Sequence, residues 1–536
     1  MRAIVPVVIV LVLTAAAAGV IAAEADPAIA VVAPNPVPTD NEGEFLVIDV
    51  PPGTNVSGWT IVDHHHEATL PNTTVDGRVA VSARPSLTEL LVDEDVLGVS
   101  GRFRPAADGD RLELRDADGT RLDRVTYGST PQGVRWHRTD AGELVARTPG
   151  QTDHAPVAVD VDEAEAFVLP DGAAVPDAVL ASAKERLFLA GYELSDPAAV
   201  DQLVERADDG VDVRVLVDGE PVGGQSAEEL EALDRLVAAN VSVRVLTGSR
   251  DRFRFHHPKY AVADDRAIVM TENWKRAGTG GASSRGWGVV VTDRSFSDEL
   301  AALFHADAGW RDGVAWERAR LDATGVDGVP PNRTHPVTHE PAPVAVEAAE
   351  LVVAPDAAEP RLRELIADAD ESIAVQQVRI ADPDFPLLEE VFAAAERGVS
   401  VQIQLDSSWY VAEENRAVAA AIEERAAAAR LPVEVRLVEE TDRFEKIHTK
   451  GLVVDDEVVV VGSMNWNNVS MRDNREVMVV LHGEAAAGYY GAVFAADWTP
   501  VGINTPVGLV LAAVAVWTAV GATAVRYVEF APAKSS

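Results

Sequence analysis

His448-Thr449-Lys450-Gly451-Leu452-Val453-Val454-Asp455 opens the stretch that decides the fold, continued by Gly462-Ser463-Met464-Asn465-Trp466-Asn467 and Asn474-Arg475-Glu476. Side chains alternate along a strand, so His448 and Lys450 share a face and can address one anion. Gly451 to Val454 is apolar enough to sit in a sheet, Asp455-Asp456 reads as a turn, and Val458 to Val461 returns as a second strand. That return delivers Ser463 and Asn465 to the same end. An imidazole, an ammonium, a hydroxyl and an amide then converge, a set that suits a phosphate. Its oxygens take Lys and hydrogen-bond donors, while imidazole attacks phosphorus or moves a proton.

The pattern occurs twice. The earlier copy reads His257-Pro258-Lys259-Tyr260-Ala261-Val262-Ala263-Asp264, followed by Met270-Thr271-Glu272-Asn273-Trp274. Upstream of it the spacing predicts a strand over 187–192, a helix over 196–208 and a strand over 210–216. Upstream of the later copy it predicts a strand over 372–378, a helix over 386–397 and a strand over 398–403. Gly210 lies 47 residues before His257 and Gly398 lies 50 before His448, so the halves stay in step. One such motif arises easily by chance, but two copies in matching contexts indicate a duplicated α/β domain. The halves are expected at 160–320 and 348–500, joined by a Pro- and Gly-rich linker over 321–347.

At these residues the sequence resembles the phospholipase D superfamily, over about residues 160 to 500. The resemblance implies two mixed sheets flanked by helices and one pseudo-twofold active site where the motifs meet. One His would attack phosphorus to form a phosphohistidine, the other would protonate the leaving oxygen, and water or another alcohol would release the product. It implies no metal or other cofactor. Lys259 and Lys450, with Thr271, Asn273, Ser463 and Asn465, would stabilise the phosphate, and Asp264 and Asp455 would order the turn and sheet. The first copy departs from the pattern. Its Asp-to-Asn interval is one residue shorter, Met270-Thr271 replaces Gly462-Ser463, and Ser284-Arg285-Gly286 replaces Asn474-Arg475-Glu476, with no carboxylate. If Glu476 orients an imidazole, the histidines differ and His448 is favoured as base or nucleophile. The family often uses the N-terminal His, so the roles of His257 and His448 stay open.

Residues 28–150 alternate short strands with turns, at 44–50, 58–62, 78–83, 111–115 and 121–127, which predicts an all-β sandwich. The stretch resembles the lamin-tail domain, an immunoglobulin-like sandwich, through Asn41-Glu42-Gly43-Glu44-Phe45 with Val56-Ser57-Gly58-Trp59-Thr60, and Gly109-Asp110-Arg111-Leu112-Glu113-Leu114 with Asp118-Gly119 and Tyr127-Gly128. Trp59 is expected in its core and Asp118-Gly119 at a hairpin turn. Adjacent histidines on an extended chain point to different sides, so His64-His65-His66 reads as a polar loop before a metal site.

The 536 residues carry 86 Asp and Glu against 46 Lys and Arg, a formal charge of -40, and no Cys. Disulfides, thiolate metal sites and cysteine nucleophiles are excluded. An evenly acidic, Lys-poor surface fits a halophilic source, and molar salt screens the bulk charge to about 3 Å, so an anionic substrate is not excluded. Residues 1–25 read as a signal peptide ending Ala23-Glu24-Ala25, and the 20 uncharged residues 506–525 as a transmembrane helix. The expectation is an exported protein anchored in the membrane through its C-terminal helix, catalytic domain outside. Asn55, Asn72, Asn240, Asn332 and Asn468 begin N-x-Ser/Thr sequons.

Three functions compete. A nuclease is suggested by the lamin-tail-like module and by Arg252, Arg254 and His256, which would line a groove for a phosphate backbone. A phospholipid phosphodiesterase or transphosphatidylase, of phospholipase D or cardiolipin synthase type, is suggested by the membrane stem. A non-catalytic surface-binding protein would act through its sandwich and be indifferent to loss of His257 and His448. Expected partners are nucleic acid or phospholipid substrate and the membrane, with no protein partner evident.

Overall fold

In the computed structural model, residues 26–36 and 42–498 are described, apart from 90, 93, 140, 149, 153, 249–250 and 329–330. Contacts divide the chain after Thr148 into two units.

The first unit is β-rich. A six-stranded sheet contains Ala28–Ala33, Phe45–Asn55 and Thr74–Ser82, and a five-stranded sheet contains Thr60–Val62, Asp110–Arg115 and Arg121–Tyr127. Strand alternation sends Leu46 and Ile48 to one cluster with Trp59, Ile61, Leu112 and Leu114, while Phe45 and Val47 turn to the opposite face with Val31 and Ala80. Asp118-Gly119 forms a turn in which Asp116 Oδ1 accepts the N–H groups of Asp118 and Thr120 and Gly119 takes φ +80°. His64 Nδ1 meets Asp110 and His66 Nδ1 meets Asp63, at 2.9 and 3.1 Å, so these two rings serve loop contacts.

The second unit contains the repeat. Parallel pairing of Arg186–Gly191 with Asp212–Asp218, and of Ser372–Gln377 with Ser400–Asp406, reflects the β-α-β segments read from the sequence. The crossover helices are Pro197–Asp208, whose cap Asp196 accepts from Ala198 N–H, and Pro386–Arg397, which Gly398 ends at φ +105°. Each half then adds three antiparallel strands: Tyr260–Ala263, Arg266–Met270 and Ser284–Thr292 in the first, Lys450–Val454, Val458–Gly462 and Glu476–His482 in the second. The two sheets share one strand order, to which the first adds Gly313–Ala315 at its edge.

The halves also exchange edge strands. Val157–Asp160, which precedes the first half, pairs with Ala348–Ala354 in the second sheet, and Ala342–Ala345, which precedes the second half, pairs with Glu163–Leu169 in the first. Ala342–Ala345 falls inside the stretch expected to be linker. Its pairing satisfies backbone groups at an exposed sheet edge.

One apolar cluster joins the halves, combining Tyr260, Trp287, Val289 and Phe304 with Leu351, Val453, Val477 and Val479. Separate clusters lie under the helices of each half. At the seam Gly451 is required by Trp287, because a Cβ there would stand 2.3 Å from the indole Cζ3.

The expectation of an exported, membrane-anchored protein is corrected here. No helix among the described residues is long and apolar enough to cross a membrane. Residues 1–25 and 506–525, on which that expectation rested, lie outside the described residues.

Candidate active site

Both motif histidines are tied to the opposite half by the backbone. His257 N–H donates to Arg475 O at 3.0 Å and His448 N–H donates to Arg285 O at 2.8 Å. Those arginines are fully buried and doubly paired, Arg285 with Asp171 and Asp497, Arg475 with Asp307 and Asp356. A buried guanidinium is tolerated only when its charge and donors are met, so each Arg locks the strand segment that receives the other half's histidine. Behind each histidine a carboxylate ends the neighbouring parallel strand: Asp218 accepts from His256 N–H and Asp406 from Ile447 N–H, at 2.6 and 3.0 Å.

The imidazoles are paired crosswise. His257 Nδ1 lies 2.8 and 3.0 Å from the two Glu476 oxygens, and Glu476 also accepts from Ser463 Oγ at 2.5 Å and Asn474 Nδ2 at 3.0 Å. Glu476 therefore serves His257 of the other half, not its neighbour His448. His448 Nδ1 stands 3.1 Å from Glu272 Oε2, without the alignment of a hydrogen bond. Position 286 occupies the sheet register of Glu476: Leu169 faces Gly286 as Ala354 faces Glu476. A Cβ on Gly286 would come within 2.3 Å of Glu272 Cγ. The carboxylate that seemed lost from the first copy is thus supplied from position 272, in the space that glycine leaves.

Four of the chain's six lysines, Lys259, Lys275, Lys446 and Lys450, act on His448, in a chain whose positive charge is otherwise almost all Arg. Lys259 Nζ donates to His257 O and lies 5.4 Å from the Tyr192 ring, while Lys450 Nζ donates to His448 O at 2.7 Å. Burial pushes the Lys259 ammonium down to about 7, against the pull of Glu476, Glu193 and Glu272. Lys450 is held well below the usual lysine range by burial and then by Lys259. Burial lowers His257 to about 4, with Glu476 opposing and Lys259 adding. His448 is held well below the ordinary histidine range by burial and the four lysines. Burial raises Glu272 to about 7, moderated by Lys450 and its neighbours. Both imidazoles are neutral at pH 7, and Glu476 fixes the His257 tautomer with Nδ1–H donating, leaving Nε2 with a free lone pair.

Other expected site residues fall differently. Ser463 is fully buried, its hydroxyl spent on Glu476, and Thr271 Oγ1 accepts from Trp287 N–H at 3.0 Å. Both hydroxyls, expected on phosphate, instead brace the carboxylate and the sheet. Asn273 is buried with Nδ2 3.4 Å from Glu193, and Asn465 is half-buried. Asp264 accepts the N–H groups of Lys184, Glu185 and Arg186, and Asp455 those of Asp370, Glu371 and Ser372. Both aspartates therefore close turns. Of the three groups expected to line a groove, Arg252 is buried on Asp312 and the Asp307 carbonyl and His256 is buried, so only Arg254 is exposed. The sequence places Arg252 beside Arg254 on the expected groove, but Asp312 draws it inward.

The arrangement holds two imidazoles, two lysine side chains and two glutamates where the halves meet, a set able to bind a phosphodiester anion and move protons on either side of phosphorus. No curated protein matches the sequence. Among solved structures, the chain is similar to a phosphatidylserine synthase of Haemophilus influenzae (TM-score 0.47, 14% identity, 64% of this chain and 88% of that one). It is also similar to a polyphosphate kinase of Porphyromonas gingivalis (0.42, 12%, 63% and 50%) and to the phospholipase D family member Nuc of Salmonella typhimurium (0.25, 17%, 30% and 98%). The family model described as "Cardiolipin synthase, PLD-like domain" matches residues 177–308 and 362–498, together half of the sequence and one segment in each half of the repeat. The chain therefore belongs to this PLD-like domain family, within the phospholipase D superfamily.

Proposed function

We propose that the protein is a metal-independent phosphodiesterase working through a phosphohistidine, and that its substrate is nucleic acid. The observation that carries the reaction is the hydrogen bond from His257 Nδ1 to Glu476, which leaves Nε2 as the nucleophile. In the first step Nε2 attacks phosphorus, the P–O bond breaks, and His448 gives its proton to the departing oxygen. Burial and then the repulsion of the lysines keep His448 neutral, and bound phosphate offsets the lysine part, so substrate raises its proton affinity. In the second step His448 takes a proton from water or an alcohol, which attacks phosphorus and breaks the P–N bond. Lys259 and Lys450 hold the equatorial oxygens, supported by Asn273 and Asn465.

Lys275 and Lys446 beside this centre suit the flanking phosphates of a polynucleotide. The N-terminal unit, with its lamin-tail-like sequence, is proposed as an accessory binding module. A second reading, transfer or hydrolysis at a phospholipid headgroup, is favoured by the family's description as cardiolipin synthase-type. The test is to offer the full chain, in high salt with EDTA, a labelled oligonucleotide and phospholipid vesicles. Oligonucleotide cleavage abolished by His257→Ala and by His448→Ala is expected. Headgroup release alone would move the assignment to the second reading, and no activity on either would favour a binding protein.

A further inference from the structure

Tryptophan is seldom left in water, because its large apolar surface gains from burial. Trp409 is 92% exposed and Tyr410 beside it 41% exposed. Their rings lie 5.9 Å apart at 75°, and the Tyr410 ring carries Lys446 Nζ at 5.4 Å. Lys446 begins the short segment Lys446–Ile447 that leads directly into His448 and pairs with Ser284-Arg285 of the first half. Lys446 stands two residues before His448, so its contact with the ring puts Tyr410 beside the phosphate site.

The loop that presents the pair is anchored. Ser407 Oγ donates to Val438 O at 2.8 Å, and Val411 and Ala412 N–H both return to Ser408 O, at 3.0 and 2.9 Å. An anchored loop offers its ring without the entropy cost of ordering it on binding. In the first half the loop after Asp212–Asp218 carries no aromatic residue, and its exposed apolar residue is Val222. The pair therefore marks only the His448 side of a nearly twofold site.

We propose that Trp409, backed by Tyr410 and Lys446, stacks one unpaired base next to the scissile phosphate on the His448 side, so that the enzyme prefers single-stranded nucleic acid and reads strand polarity. This rests on the nuclease reading. Aromatic side chains beside a cation that takes the backbone are the recurring arrangement for single strands, since every base offers a π-face and a paired base does not expose one.

The experiment measures cleavage by the full chain of a single-stranded oligonucleotide, its duplex, and versions with one abasic residue on either side of the cleaved bond. Expected are preference for the single strand and a loss of about tenfold in kcat/KM on Trp409→Ala, carried by KM, with Trp409→Phe restoring most of it. An abasic residue on one side only should cost as much and erase the effect of Trp409→Ala. Being exposed, Trp409 can be replaced without disturbing the fold, which an unchanged melting temperature checks. Cleavage indifferent to Trp409→Ala, or equal on duplex, overturns the stacking proposal and leaves the nuclease standing. Absence of cleavage, with Trp409→Ala losing binding to phosphatidylcholine vesicles, overturns both.

Discussion

Glu272 fills the space that a side chain at position 286 would need, for a Cβ on Gly286 would stand 2.3 Å from Glu272 Cγ. The two residues act as one unit: the glycine opens the hole and the glutamate brings the carboxylate to His448. Glu272→Gln and Gly286→Ala are therefore expected to damage the same step, each lowering kcat by about 10- to 100-fold as an imidazole loses its orienting partner. Glu476→Gln should cost more, because Glu476 also gathers Ser463 and Asn474. Steady-state kinetics on the four proteins check the order. Wild-type kcat in Gly286→Ala would show that Glu272 has no such role.

The pH profile follows from which protonation states the site needs. His257 must be neutral to attack, and burial lowers it to about 4, so activity should rise through that region. Lys259 must be charged and His448 must hold the proton it gives; burial lowers Lys259 to about 7 and His448 below its ordinary range, so activity should fall as pH rises to neutrality and beyond. A bell-shaped kcat/KM profile with limbs near these values is expected. A profile flat to pH 9 would show that the ammonium is not needed.

Arg475 is a structural lock whose loss leaves Asp307 and Asp356 buried without their cation. Arg475→Met should destabilise the second unit by about 3 to 5 kcal/mol in denaturant unfolding. Although burial would raise it, Asp307 is lowered to about 2, chiefly by Arg475. A depressed carboxylate stabilises the fold above its unfolded value and loses that contribution as pH falls through its folded one. Wild-type stability should therefore drop between about pH 4 and pH 2, and the drop should shrink in Arg475→Met.

Asp264 and Asp455 belong to the motif by sequence and to the turns by structure. Asp455→Ala removes the acceptor of three N–H groups, so about 1 to 3 kcal/mol of stability should go while kcat per folded molecule stays within about twofold. A hundredfold loss of kcat in a fully folded variant would place the aspartate in the chemistry.

Much of this architecture is legible in the chain, because strands and crossover helices carry their apolar periodicity locally. Pro386–Arg397 ends at Gly398, where the spacing predicts. The exchange of Val157–Asp160 and Ala342–Ala345 is not legible, since edge-strand pairing depends on which sheet lies nearby in space. His257 and His448 stand out by repetition, whereas Glu272 depends on a hole at Gly286, which no spacing records. Ser463 and Thr271 look like phosphate ligands in one dimension, but sheet packing turns their hydroxyls inward. The scarcity of lysine was a readable signal: with six in the chain, both motifs holding one is itself informative.

The central claim is that His257 and His448 form one site with divided tasks. Its most direct test is rapid acid-free quenching of the full chain with an oligonucleotide labelled at the scissile phosphate, followed by denaturing separation. A protein-bound label stable to alkali and labile to acid is expected in the wild type, absent from His257→Ala, which lacks the nucleophile, and strongly diminished in His448→Ala, which lacks the acid for the leaving oxygen. Turnover without bound label, or undiminished label in His257→Ala, would contradict it.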